Sequence, residues 1–174
     1  MKLVALLLLF TICSCEIKVS TNKDGKVSST TLQDNEKKSS KIRNGIILKE
    51  NGLKVEEAYL VTNDGSLMSN ENKIDVNDVV KMKLVMTGWK AENDKVFAGA
   101  SERVLTSEGD TVLNEPDLFK NFAENIDAKD AKYINLSVNI TKITKIVDYF
   151  LVEFRVWDKK TNAEVSGSYK LYFR

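Results

Sequence analysis

The chain of 174 residues is 43% hydrophobic and 29% charged, which suits one folded domain with a tail. It contains no histidine, so Ser-His-Asp triads, Cys-His pairs and histidine-containing zinc sites are excluded. The net charge of +1 gives no basic surface of the kind that nucleic-acid binders need. Any catalysis would have to use carboxylates, Lys, Tyr, Ser or Thr. We therefore expect a non-catalytic protein without a metal or a cofactor.

The first fourteen residues have the pattern of a secretory signal peptide. Lys2 is followed by an apolar run, Leu3 to Ile12, that is too short to span a bilayer. The residues Ile12-Cys13-Ser14-Cys15 resemble the lipobox of bacterial lipoproteins, in which an aliphatic residue and two small ones precede the lipidated cysteine. The resemblance implies export, cleavage before Cys15, a diacyl or triacyl anchor on Cys15 and attachment to a membrane of the bacterial cell envelope. Glu16 is not the Asp that retains some enteric lipoproteins at the inner membrane, so the outer membrane is favoured.

Cleavage also changes the cysteine content of the mature chain. Cys13 leaves with the signal, so Cys15 would be the only cysteine and no internal disulfide could form. Acylation of Cys15 would leave no free thiol for nucleophilic or metal chemistry. The domain must then be stabilised by its hydrophobic core alone.

Residues 15–41 form the lipidated N-terminus and a segment rich in Ser, Thr, Lys, Asn and Asp. Such a composition buries too little apolar surface to offset the entropy of ordering, so we interpret it as a flexible tether. An alternative is a weak hairpin between Ile17–Thr21 and Val27–Thr30, although an isolated two-stranded hairpin is marginal in water.

From residue 42 to 174 the pattern changes to short apolar runs separated by turns. Alternation of apolar and polar residues predicts strands over 53–62, 81–87, 96–105 and 133–140, with shorter ones at 46–48 and 111–113. Asn51-Gly52 and Asn63-Asp64-Gly65 are turn signals between them. The small residues Ala98 to Ser101 indicate a β-bulge or a close approach of another group to the backbone, and a bulge is the simpler interpretation.

The last thirty residues predict a β-hairpin in a defined register. Pairing Asp158 with Ala163 places Val156 opposite Val165, Phe154 opposite Gly167 and Phe150 opposite Leu171. Every inward residue then meets an inward partner, which a shift of one residue would destroy.

Two short segments have helical features, one from Asn114 to Ala123 and one from Asp127 to Asp130. Together they predict a short helical crossover over residues 114–131. About seven or eight strands with one such crossover predict an all-β fold, an antiparallel immunoglobulin-like β-sandwich. The Cys…Trp…Cys spacing of antibody domains is absent, so only the architecture is predicted.

Four aromatic residues are candidates for ligand or partner contacts. Tyr149, Trp157 and Tyr172 lie on the predicted outward face of the final hairpin, and Trp89 follows Gly88 at the start of a polar loop. Trp157 and Tyr149 are about 26 Å apart along the strand, too far for one small-ligand platform. Exposed aromatics are favoured in binding sites. The alternatives are that Trp89 and Trp157 close the ends of the sandwich and that the two tyrosines pack under the crossover.

Clusters of acidic residues offer weaker candidates. The sequence Asp75-Val76-Asn77-Asp78 contains oxygen ligands but lacks the EF-hand pattern, so we interpret it as a turn. The pairs Glu115/Asp117 and Asp127/Asp130 have the composition of glycosidase carboxylates, but helix starts explain them without chemistry.

Three functions are therefore open, in decreasing order of support. The first is a membrane-anchored, non-catalytic binding or scaffolding module with an envelope protein as its partner. The second is a carbohydrate-binding module that stacks a glycan on Trp89 or Trp157. The third is a carboxylate-based hydrolase, which would need two acidic residues converging in a cleft.

Overall fold

The computed structural model describes residues 41–120, 125–141 and 146–174. The signal peptide, Cys15 and the tether, including its alternative hairpin, lie outside the described residues apart from the tether's last residue. Eleven strands are formed and the described residues contain no helix. The strands are β1 (Ile47–Asn51), β2 (Lys54–Val61), β3 (Lys73–Ile74), β4 (Val79–Thr87), β5 (Lys95–Val96), β6 (Ala98–Thr106), β7 (Thr111–Glu115), β8 (Ile126–Asp127), β9 (Tyr133–Asn139), β10 (Phe150–Asp158) and β11 (Glu164–Phe173).

Two sheets make up the body of the protein. The larger has the order β1-β11-β10-β6-β7, with β3 added in parallel beside the end of β11, and the smaller has the order β2-β4-β9. All pairs in these sheets except β3 with β11 are antiparallel. Strands β5 and β8 form a separate two-stranded ribbon. The eight strands of five or more residues match the predicted number, and the three two-residue strands are additional.

The two sheets face each other across one hydrophobic core. Met82, Leu84 and Met86 of β4 are buried and alternate with half-buried residues, and Val152, Phe154 and Val156 of β10 alternate with half-buried or exposed ones. Residues of both sheets belong to the same core cluster. Because alternate side chains of a strand point to opposite faces, this one-sided burial confirms the predicted β-sandwich.

The final hairpin has the predicted register. Phe150 is opposite Leu171, Phe154 is opposite Gly167 and Val156 is opposite Val165. Strand β6 pairs with the other side of β10 without interruption from Ala98 to Thr106. The hairpin therefore supplies two of the three interior strands in the order β1-β11-β10-β6-β7.

The helical crossover predicted over residues 114–131 is wrong in its described part. Asn114 and Glu115 belong to β7, where they are paired with Arg103 and Glu102 of β6. Residues 118–120 form a turn, and β8 and further turns occupy 126–132. Residues 121–124 lie outside the described part of the chain. A helix of one or two turns has a costly nucleus, so strand pairing and turns are favoured over the local capping signals.

Two buried asparagines join the sheets at one end. The side-chain amide of Asn44 donates to Asn72 Oδ1 at 3.0 Å and to Ser69 O at 3.0 Å, while its oxygen accepts from Leu60 N–H at 2.9 Å. Asn72 in turn donates to Asn44 O at 2.8 Å and to Lys170 O at 2.9 Å. Both residues have positive φ, which asparagine tolerates better than most residues. The network therefore links β2 of the smaller sheet to β11 of the larger one.

Candidate functional site

The outer face of the larger sheet carries three of the four predicted aromatic contacts. We define the hairpin face as the outward side chains of residues 149–157 and 164–172, together with those of β1 beside them. Tyr149 and Tyr172 are in edge-to-face contact, with ring centroids 6.1 Å apart. Lys170 Nζ lies 3.8 Å from the centroid of the Tyr149 ring. The tyrosines and Trp157 stand at opposite ends of β10, so they do not form one platform.

Trp157 is half-buried against the neighbouring strand. Its register partner on β6 is Gly99, and a Cβ built on Gly99 would lie 2.2 Å from the indole. The guanidinium carbon of Arg155 lies 4.9 Å from the indole centroid, and Arg155 Nε donates to Glu164 at 2.7 Å. The bulge interpretation of Ala98 to Ser101 is therefore wrong, since this run pairs regularly with β10 and leaves room for the indole. A sugar would have to share a ring that protein groups already contact.

Trp89 lies away from the hairpin face. It is half-buried and packs against both the main core and the small cluster of Val96, Ala98 and Ala131. Its indole Nε1 is buried and has no hydrogen-bond partner. This placement favours the interpretation in which Trp89 closes one end of the core.

A shallow depression lies in the hairpin face and was not predicted from the sequence. It has a volume of about 320 Å³ and is lined by Ile47, Leu48, Lys49, Glu153, Phe154, Ser166, Gly167 and Ser168. Ile47 is 70% exposed beside it. Gly167 has no room for a side chain, since a Cβ there would lie 2.3 Å from Ile47 O and 2.6 Å from the Phe154 ring. The depression is apolar at its floor and charged at its rim.

The predicted acidic candidates do not converge. Asp75 and Asp78 close the turn before β4, where Asp78 Oδ2 accepts from Asp75 N–H at 2.8 Å. Asp117 pairs with Lys159 at 2.9 Å, and Asp127 pairs with Lys95 at 2.7 Å. The hydrogen bond from Lys95 lowers the pKa of Asp127. In the described part of the chain, no three acidic or sulfur side chains are grouped so as to hold a metal.

Glu102 is a buried acidic residue that the sequence pattern alone did not single out. It is 2% exposed, both carboxyl oxygens lack a hydrogen-bond partner, and burial raises its pKa to about 8. The hydroxyl of Tyr169 is also buried without a partner, and its pKa is raised by burial and then by the charge of Glu102. The signal was available, because Glu102 has the same alternation parity as the inward residues Ala100 and Val104. Its position in the core argues against contact with a substrate.

Comparisons with known proteins add no family to this description. No model of a known protein family matches the chain, and no curated protein matches it either. Among the described residues, no helix has the length and apolar character needed to cross a membrane.

Proposed function

We propose that this protein is a lipoprotein of the bacterial cell envelope, anchored through Cys15, whose β-sandwich binds a protein partner without catalysis. The observation that best supports binding is the depression beside Ile47 in the hairpin face. An exposed aliphatic side chain next to a concave apolar floor, with Lys49 and Glu153 at the rim, resembles the centre of a protein interface. The dispersed carboxylates, held in turns and ion pairs, support a non-catalytic role.

The anchor is supported by the sequence of residues 12–15 and by the physics of lipid attachment. Two or three acyl chains give stable membrane binding, whereas one chain gives marginal binding. Mass spectrometry of the membrane-extracted protein should find an acylated N-terminal Cys15. The variant Cys15→Ser should leave the membrane fraction, whereas the control Cys13→Ser should remain in it. An unmodified N-terminus at another residue would contradict the anchor.

The binding role is tested by placing a photo-crosslinking residue at position 47 of the full chain in cells. We expect one defined crosslinked protein at position 47, and its loss in Ser168→Phe, which fills the depression. Position 112 is the matched control, because Val112 is also an exposed aliphatic residue of the larger sheet but lies on β7. Equal crosslinking at both positions would contradict a specific partner, and glycan binding that disappears in Trp157→Ala would support a carbohydrate ligand instead.

A further inference from the structure

Strand β9 forms an edge of the smaller sheet that lacks the usual protection against pairing. It pairs with β4 on one side in an unbroken register, and no described strand pairs with its other side. None of its seven residues is charged and none is proline. The other sheet edges carry charges or interruptions. Strand β1 carries Lys49 and Glu50, β2 is covered at one point by a bridge between Ile42 and Ala58, and the pairing of β7 with β6 contains a register shift. Edge strands normally carry such devices because an open edge pairs with another strand.

The alternation of hydrogen bonds along β9 identifies which of its backbone groups have no partner among the described residues. Met86 N–H donates to Lys132 O at 2.8 Å, and these residues continue the pairing of β4 with β9. In an antiparallel pair alternate residues bond to the partner strand, so Ile134, Leu136 and Val138 bond to β4. The N–H and C=O groups of Asn135, Ser137 and Asn139 therefore point to the open edge. At position 133 only the C=O is free, since the N–H donates to Asp130 O at 2.9 Å.

We propose that the β9 edge binds the β9 edge of a second copy of this chain, antiparallel about a two-fold axis at Leu136. Asn135 then faces the partner's Ser137, and Tyr133 faces the partner's Asn139. The free backbone groups of one copy meet those of the other. Ile134 faces the partner's Val138. The two three-stranded sheets then join into one six-stranded sheet whose buried side chains all lie on the same face.

A second copy of the chain matches the β9 edge in charge and in side-chain pattern. An uncharged strand meets itself without like charges, and its small polar outward residues pack side by side. Its alternation also matches itself in this register, whereas a shift by one residue would place inward side chains opposite outward ones. The pairing does not depend on the proposed partner-binding function, because it uses the opposite sheet from the hairpin face.

The test uses charges that the monomer tolerates and the dimer does not. In one chain Asn135 lies beside Lys83 and Ser137 lies beside Lys81, so glutamates at both positions gain opposite charges within the fold. In the dimer each introduced glutamate faces another one, and the two symmetric contacts should raise the dimer dissociation constant at least about tenfold. The variant Asn135→Lys/Ser137→Glu instead makes opposite charges face each other and should stay dimeric.

The measurement is light scattering of the full chain purified in detergent, with the mass of the bound detergent subtracted. Protein concentrations extend to about 100 µM, above the dissociation constants of protein interfaces of standard size. We expect a dimer for the wild type, for Asn135→Lys/Ser137→Glu and for the control Thr111→Glu/Ser166→Glu on the larger sheet. Asn135→Glu/Ser137→Glu should need at least about tenfold more protein than the wild type to dimerise, and it should still unfold cooperatively. A monomeric wild type, an unchanged dissociation constant in Asn135→Glu/Ser137→Glu or a monomeric Asn135→Lys/Ser137→Glu would each overturn the proposed pairing.

Discussion

Replacing Glu102 with Gln should remove a large pH dependence of stability. The carboxyl of Glu102 is buried among Phe154 of β10, Tyr169 of β11 and the neighbouring strand β7, which brings Glu115 opposite it. None of these groups donates a hydrogen bond to it. Burial without a partner favours the neutral acid, so the pKa of Glu102 rises from 4.5 to about 8.

The sign follows from proton binding. Between pH 4.5 and 8 the folded protein holds a proton on Glu102 that the unfolded chain has lost, so the free energy of unfolding falls as the pH rises. One pKa unit corresponds to about 1.4 kcal/mol, so the free energy of unfolding falls by about 3 kcal/mol between pH 4.5 and 7 through Glu102. The fall continues to about pH 8 and then stops, because Glu102 is then ionised in the folded protein as well. Glutamine has the shape of the neutral acid and does not ionise, so Glu102→Gln should lack this loss.

The assay is urea denaturation of wild type and Glu102→Gln across pH 4.5 to 9. The difference in unfolding free energy should grow in favour of Glu102→Gln by about 3 kcal/mol up to pH 7 and level off above pH 8. Other carboxylates, such as Asp127 with its lowered pKa, act in the opposite direction but equally in both proteins. Glu56→Gln, at an exposed site, should follow the wild-type profile. Parallel profiles for wild type and Glu102→Gln would contradict a raised pKa at Glu102.

Two further changes test the packing. Gly99→Val places a side chain in the space of the Trp157 indole, and we expect a loss of about 1–3 kcal/mol by urea denaturation. That loss should shrink when Trp157→Ala is added, and an equal loss in both backgrounds would contradict the contact. Asn44→Asp replaces the donors to Ser69 O and Asn72 Oδ1 with an oxygen and should cost about 3 kcal/mol or more in thermal unfolding. Asn70→Asp, which keeps an acceptor for Asn44 N–H, should cost little, and similar losses for both would argue against the network.

Most of the fold could be predicted because strands repeat every two residues. The alternation in 81–87, 133–140 and 150–173 identifies both the strands and their buried faces, and it sets the register of the final hairpin. Capping signals were less informative at Asn114 and Asp127, because short helices gain little locally. Pairing with β6 competes with a helix at Asn114, and pairing with β5 competes with one at Asp127. The two-residue strands β3, β5 and β8 have too few residues for any periodicity.

The candidate site depended on contacts between distant strands. The pairing of β10 with β6 places Trp157 on Gly99, and the pairing of β1 with β11 places Ile47 opposite Ser168 in the depression. Neither contact has a signal within its own segment. The predicted hairpin register, which pairs Asp158 with Ala163, also places Tyr149 opposite Tyr172, and the structure shows these two rings in contact.

The sequence predicts an export signal, and it specifies the all-β class and the inward face of each long strand, because these depend on composition and on a period of two residues. Tertiary packing specifies which strand lies beside which, and with it the packing of both tryptophans and the open edge of β9. The reason is that a strand's own pattern specifies which side is buried, whereas its neighbours are selected by how all the buried faces pack together.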